Sequence, residues 1–133
     1  MQQISESQVN WVTNPHGFSY SGINFLGTSG QNIKDIRMYA SALQEPSSCL
    51  DVIDLTLQMR HMFPTTPDTL RSFPFTGGDP FLLHDAPHVY FAGNQPQYGT
   101  RLIDSGTREV TRIISVPAFR KSKSIVIVDL ESL

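Results

Sequence analysis

The most compact apolar run in the chain, Val89, Tyr90, Phe91 and Ala92, lies within residues 87–98 (PHVYFAGNQPQY) and stops abruptly at Gly93-Asn94 and Gln95-Pro96. A short β-prone run closed by glycine and proline predicts a buried strand that delivers a loop to a sheet edge. Loops at strand ends are common places for sites, so Gly93-Asn94-Gln95-Pro96 reads either as a working loop or as a turn. Upstream lie two helix-like patterns and many prolines, and downstream come three alternating strand patterns. The strand at 89–92 joins a mixed first part to an all-β last part.

Taken in order, residues 10–13 (NWVT) are a short strand candidate that Asn14-Pro15-His16-Gly17 breaks, since Asn-Pro starts turns and glycine supplies positive φ. Residues 18–20 and 23–26 flank Ser21-Gly22, a hairpin turn. The glycine-rich stretch Gly27-Thr28-Ser29-Gly30-Gln31-Asn32 leads into Ile33, Ile36 and Tyr39 at helical spacing, predicting strand, loop and short helix. That loop is either a tight structural turn or a phosphate cradle on helix N-terminal N–H groups. It lacks the lysine of the GxxxxGK[ST] pattern.

The clearest helix covers residues 48–62. Ser48 and Asp51 form a variant capping box, and Leu50, Ile53 and Leu57 make an apolar stripe widened by Val52 and Met59. Phe63-Pro64 is expected to stop it, which places Arg60 and His61 in the last turn, where the helix dipole favours positive charge. His61 is the histidine to watch, as a site residue or as a helix-end group bonded to nearby backbone.

Residues 64–87 are rich in proline turns, and a stretch this long without clear elements is often functional. Phe73, Phe75, Phe81, Leu82 and Leu83 serve there either as anchors to the body or as a partner surface. After Gly99 the alternation at 100–103, 109–117 and 124–130 predicts three adjacent antiparallel strands. The cluster Arg120-Lys121-Ser122-Lys123 between the last two is a solvated hairpin tip or a nucleic-acid contact.

Composition narrows the options. At 133 residues the chain suits one domain with a modest core, and 39% hydrophobic, 10% aromatic and 17% charged residues describe a globular chain rather than a disordered one. A net charge of −2 supplies no general attraction to nucleic acid. The single cysteine, Cys49, allows no internal disulfide, and no Cys/His spacing suits structural zinc. No apolar run reaches the roughly 18 residues of a membrane span, and the polar start lacks the character of a signal peptide. An intracellular soluble protein without a membrane partner is expected.

An ordered series of short motifs then carries a resemblance across nearly the whole chain. It runs through Thr13-Asn14-Pro15, residues 25–33 (FLGTSGQNI) with Asp35-Ile36, Arg60-His61, residues 64–70 (PTTPDTL), Asp79-Pro80-Phe81 and residues 87–96 (PHVYFAGNQP). The series resembles the C-terminal part of the small (B) subunits of the replicative DNA polymerases alpha, delta and epsilon. Residues 64–70 and 87–96 point to the delta branch.

The resemblance implies an α+β fold over residues 1–133: the C-terminal half of a calcineurin-like phosphoesterase β-sandwich flanked by helices, without the OB domain that precedes it in such subunits. Active phosphoesterases place metal ligands in a first half that is missing here, then a histidine and a Gly-His-x-His loop. Matched residue by residue, that loop falls on Gly93, Asn94, Gln95 and Pro96, and the separate histidine on His61. Neutral amides are poor ligands for transition metals and proline offers none, so a two-metal hydrolytic centre is not expected, nor any cofactor. Gly27, Gly30, Asn32, Asp35, Pro67 and Asp68 stand in the family's structural motifs. The implied role is a non-catalytic scaffold of nuclear DNA polymerase delta. Its implied partners are the C-terminal domain of the catalytic subunit and the other polymerase subunits, with DNA met only through the complex. The rival readings are a working metallophosphoesterase and a truncated product without a function of its own. A sandwich cut in half is further expected to leave the strands at 23–26 and 89–92 short of neighbours.

Overall fold

Ser21 and Gly22 both take positive φ, 49° and 79°, as a two-residue type I′ hairpin turn demands. They join β1 (His16–Tyr20) to β2 (Ile23–Thr28) in an antiparallel pair with Phe18 opposite Phe25. A computed structural model of the chain describes residues 9–42, 48–104 and 110–131, without the side chains of 40–42. After β2 come α1 (Gln31–Ala42), α2 (Cys49–Gln58), β3 (Val89–Gln95), β4 (Gly99–Asp104), β5 (Val110–Pro117) and the one-turn α3 (Phe119–Ser122).

The strands form one mixed five-stranded sheet in the order β1-β2-β3-β5-β4. β2, β3 and β5 run parallel at its centre, and β1 and β4 are antiparallel edges. Parallel strands covered on both faces need continuous apolar runs, which is why residues 89–92 and Ile113-Ile114 show no alternation. α1 and α2 cover one face, where Ile33, Ile36, Val52, Ile53, Met62 and Phe63 pack against Leu26, Tyr90, Ala92 and Ile113. Ile33, Ile53 and Ile113 are fully buried, each contributing about 1.5–3 kcal/mol relative to exposure. The chain is thus α+β, as the sequence predicts.

Several sequence expectations need correction. Residues 10–13 form no strand, and Trp11 is 95% exposed; the supposed breaker His16-Gly17 instead begins β1 because it pairs with Leu26 and Gly27. α2 ends at Gln58 rather than at Phe63-Pro64. Arg60 turns left-handed (φ 51°), its N–H bonds to the Leu57 carbonyl and that of His61 to the Thr56 carbonyl, a Schellman stop with arginine where glycine is usual. Arg60 and His61 therefore lie beyond the helix. Its buried side is Cys49, Val52, Ile53 and Thr56, with Leu50 and Leu57 on the margin and Met59 exposed.

The C-terminal half departs most. β5 inserts between β3 and β4, so β3 is the central strand and its loop leaves the carboxyl end of the sheet rather than an edge. Residues 124–130 form no strand, with 130 in a bend, and 120–122 lie in α3 instead of a hairpin tip. The segment instead passes over the face of the sheet, with Val126 and Val128 lining a cavity together with Ile114 and Phe91. β2 and β3 each have a neighbour on both sides, so the expected shortage of partners does not fall on them. Of the loop apolar residues, Phe81 and Leu83 pack on the core, whereas Phe73 (85% exposed), Phe75 and Leu82 face outward.

Gly30 has φ 84°, and a β-carbon there would lie 1.9 Å from the Gly93 carbonyl oxygen; Gly22 has similar φ but open space around it. Gly22→Ala should cost about 1–2 kcal/mol, the left-handed penalty alone, whereas Gly30→Ala should cost clearly more because backbone must move as well. Urea midpoints of the two variants measure the difference, and equal losses would contradict the close approach.

Candidate functional site

The carboxyl ends of the parallel strands are where open α/β sheets usually build sites, and here they bring Thr28 to Gln31, Gly93 to Gln95 and Pro117 to one edge. The β3 register shifts between Ala92 and Gln95, and Asn94 takes φ 55°. Gly93, Asn94 and Gln95 thus belong to a bulged strand end, not to a free turn. Asn94 Nδ2 donates to the Ser29 carbonyl (3.1 Å). Gln95, 3% exposed, donates through Nε2 to the carbonyls of Gly93 (2.7 Å) and Gly30 (3.3 Å). Asn14 closes the same loop from the other side: its Oδ1 accepts the Ser29 N–H (2.9 Å) and its Nδ2 donates to Ser29 Oγ (2.8 Å).

Every amide in this cluster therefore grips main chain or a neighbouring side chain. None of its residues titrates, and Pro96 adds no donor or ligand. The Gly30 carbonyl that opens α1 takes part in the same contacts, and the arrangement suits a structural turn.

A second cluster forms where α2 gives way to the loop. His61 Nδ1 accepts the Phe63 N–H (3.2 Å), so the neutral ring carries its proton on Nε2 and donates to Asp79 Oδ2 (2.8 Å). Asp79 Oδ1 accepts the Phe81 N–H (2.8 Å), and that bond first, with His61 second, holds the carboxyl below its ordinary range. His61 also makes an isolated bridge with Leu82. Both ring nitrogens are engaged in hydrogen bonds within the protein. Beside this pair is a cavity of about 470 Å³ lined by Pro67, Phe73, Pro74 and Phe75 among others.

The structural-motif residues tie these parts together. Asn32 Nδ2 donates to the Met62 carbonyl (2.8 Å) and Thr69 Oγ1 to Asp35 Oδ2, so the first turns of α1 hold the loop that carries Pro67 and Asp68; Asp68 itself is exposed. Gly27 lies under the Phe91 ring, where a β-carbon would be 2.3 Å from Cζ. Beneath them Tyr90 is fully buried, and burial pushes its phenol up, opposed by Thr56 and Asn32. His88 Nδ1 accepts the Asn24 N–H (2.9 Å), and His16 stacks near Phe18. Among the described residues no three His, Cys, Asp or Glu side chains converge as a metal site would require, and no helix is long and apolar enough to cross a membrane.

Comparison with known proteins agrees with the order of motifs. The family model for the small (B) subunit of DNA polymerase alpha/epsilon matches residues 1–100. The chain belongs to that family. It is 47% identical over 121 residues to the DNA polymerase delta small subunit of Arabidopsis thaliana, covering 91% of this chain and 27% of that protein. The Saccharomyces cerevisiae DNA polymerase delta small subunit is 39% identical over 144 aligned positions (94% and 29%), and the Drosophila melanogaster DNA polymerase delta subunit 2 is 39% identical over 122 (92% and 27%). The chain thus spans little more than a quarter of the length of these relatives.

Sequence reasoning singled out Gly30, Asn94, Gln95 and His61, but missed that Asn14 and Ser29 complete the first cluster and Asp79 the second. Asn14 was legible as a turn former and Asp79 as part of Asp-Pro, each within a family motif, but not their partners, which are distant in sequence.

One titration follows from α2. Ser48 Oγ accepts the Asp51 N–H and Asp51 returns the bond to the Ser48 N–H, and Arg101 meets the same carboxylate at 2.8 Å. The Ser48 hydroxyl first, then Arg101 and the Ser48 N–H, lower the Asp51 pKa to about 2. A folded pKa below the unfolded 3.8 means stabilisation present above that value and lost as pH falls toward about 2. Asp51→Asn should flatten the acid limb of a plot of Tm against pH in this window. An unchanged limb would assign acid sensitivity to other groups.

Proposed function

We propose that this chain is part of a non-catalytic scaffold in DNA polymerase delta, acting in DNA replication in the nucleus by holding the C-terminal domain of the catalytic subunit. Its single mixed sheet with two helices is read as the C-terminal half of a phosphoesterase-like sandwich that has lost its metal centre. The observation that carries this reading is the carboxyl end of β3, where Asn94 and Gln95 spend their amides on the Ser29, Gly30 and Gly93 carbonyls. An edge built to activate water would present ligands there. The sequence likeness to delta small subunits from plant, yeast and fly supports the complex. Other polymerase subunits, and DNA through them, complete the proposed setting.

The direct experiment mixes the 133-residue chain with the C-terminal domain of a delta catalytic subunit. Co-elution as a one-to-one complex at micromolar concentration is expected; separate elution, with the chain folded by circular dichroism, would argue for a product without a function of its own.

The rival metallophosphoesterase is tested by titrating manganese or zinc in the presence of an aryl phosphodiester. Neither stoichiometric binding nor turnover is expected. Metal-dependent turnover abolished by His61→Ala would establish the enzyme instead.

A further inference from the structure

We infer that the cavity of about 470 Å³ beside His61 and Asp79 is a docking pocket for an arginine side chain carried by a partner polypeptide. This rests on the reading above of the chain as part of a scaffold, and names the side chain by which a partner is held.

The wall of the pocket is a series of aromatic contacts that starts in the core and runs out of the molecule. Phe63 is buried, Phe81 tilts against it with ring centroids 4.7 Å apart, and Phe75 meets Phe81 edge-on at 5.7 Å and 88°. Phe75 is 52% exposed and Phe73 85%. Both line the cavity, together with Pro67 and Pro74. Gly78 stands at its margin, and nothing lies within 4 Å of where a β-carbon of Gly78 would be, so the loop leaves the mouth open. The volume falls within the roughly 300–1,000 Å³ of ligand pockets.

The charge at the rim selects the occupant. The Asp79 side chain is 42% exposed, and the Phe81 N–H first, with His61 second, keeps its carboxyl ionised by holding it below the ordinary range. His61 brings no positive charge, because its Nδ1 accepts the Phe63 N–H. Among the described residues that line the cavity none is lysine or arginine. The pocket therefore presents one uncompensated negative charge beside exposed aromatic rings. Each Asp79 oxygen spends one lone pair, on Phe81 or on His61, and keeps another for a further donor.

Other occupants fail one of these two demands. An anion would be repelled by Asp79, and an apolar side chain would cover the carboxylate without a partner for it. A lysine ammonium would reach the charge, but as a strongly hydrated point charge it has no flat face for the rings. A guanidinium stacks over aromatic faces and donates from its edge to a carboxylate, which meets both demands.

The probe is arginine capped by acetyl and N-methylamide groups, added to the isotope-labelled 133-residue chain and followed by NMR. A dissociation constant on the order of 1 mM is expected for a ligand of this size, with shift changes centred on Phe73, Phe75 and Asp79. Capped citrulline, which keeps the shape and loses the charge, should bind roughly tenfold more weakly. Phe73→Leu keeps an apolar side chain at an exposed position and removes the aromatic face. It should leave the Tm unchanged and weaken binding about two- to fivefold, and Asp79→Asn should weaken binding by a similar factor. No binding, equal binding of capped citrulline, or full binding by either variant would overturn the inference. Tighter binding of uncapped arginine would assign the pocket to the free amino acid and also overturn it. Co-elution of the catalytic subunit's C-terminal domain, measured on the same preparations, reports separately on the scaffold reading, since the arginine titration contains no polymerase subunit.

Discussion

The approach of Gly30 to Gly93 is the contact on which the arrangement of the sheet's carboxyl edge depends. With no β-carbon on Gly30, the backbone after β2 can lie against the carbonyl of Gly93, and the amide of Gln95 bridges the two. The β3 bulge and the start of α1 are set by this one meeting, because α1 begins at the residue after Gly30. From there Asn32 reaches the Met62 carbonyl and Asp35 meets Thr69, so the position of the long loop also descends from it.

The same logic explains the chemistry of the two clusters. A polar group held by two or more internal partners is well placed to orient a chain and poorly placed to bind or activate a ligand. Asn14, Gln95 and His61 are all in that condition. Their positions at strand and helix ends, where catalytic groups sit in other α/β proteins, mark where geometry is fixed. These commitments support the scaffold reading proposed above.

The two faces of the sheet differ in how they are finished. The helix-covered face buries a continuous core, with Ile33, Ile53, Tyr90 and Ile113 fully enclosed. The opposite face is crossed by the segment at 124–130 with cavities on either flank and keeps Phe18 and Tyr20 exposed. Dense packing on one side and open volume on the other set the two faces apart.

Local sequence determined the features whose causes are local. The Ser21-Gly22 turn, the Ser48/Asp51 capping box, the glycine-rich loop before α1 and the buried run at 89–92 follow from positive φ, paired end groups and hydrophobic pattern within a few residues, whereas 109–117, read as alternating, holds a buried Ile113-Ile114-Ser115 run. Gln95 and Asn94 were recognisable as amides at a strand end, and His61 as a histidine at a helix exit. Only tertiary structure decided that β5 lies between β3 and β4, because strand order depends on which runs can be buried together and alternation does not encode a neighbour. It placed Arg60 in the left-handed stop of α2, where its side chain reaches the His84 carbonyl (2.9 Å), a partner 24 residues away. It also left 124–130 outside the ladder: the alternation specifies two faces, but hydrogen bonds require a strand alongside, and the sheet presents this segment with a face instead of an edge.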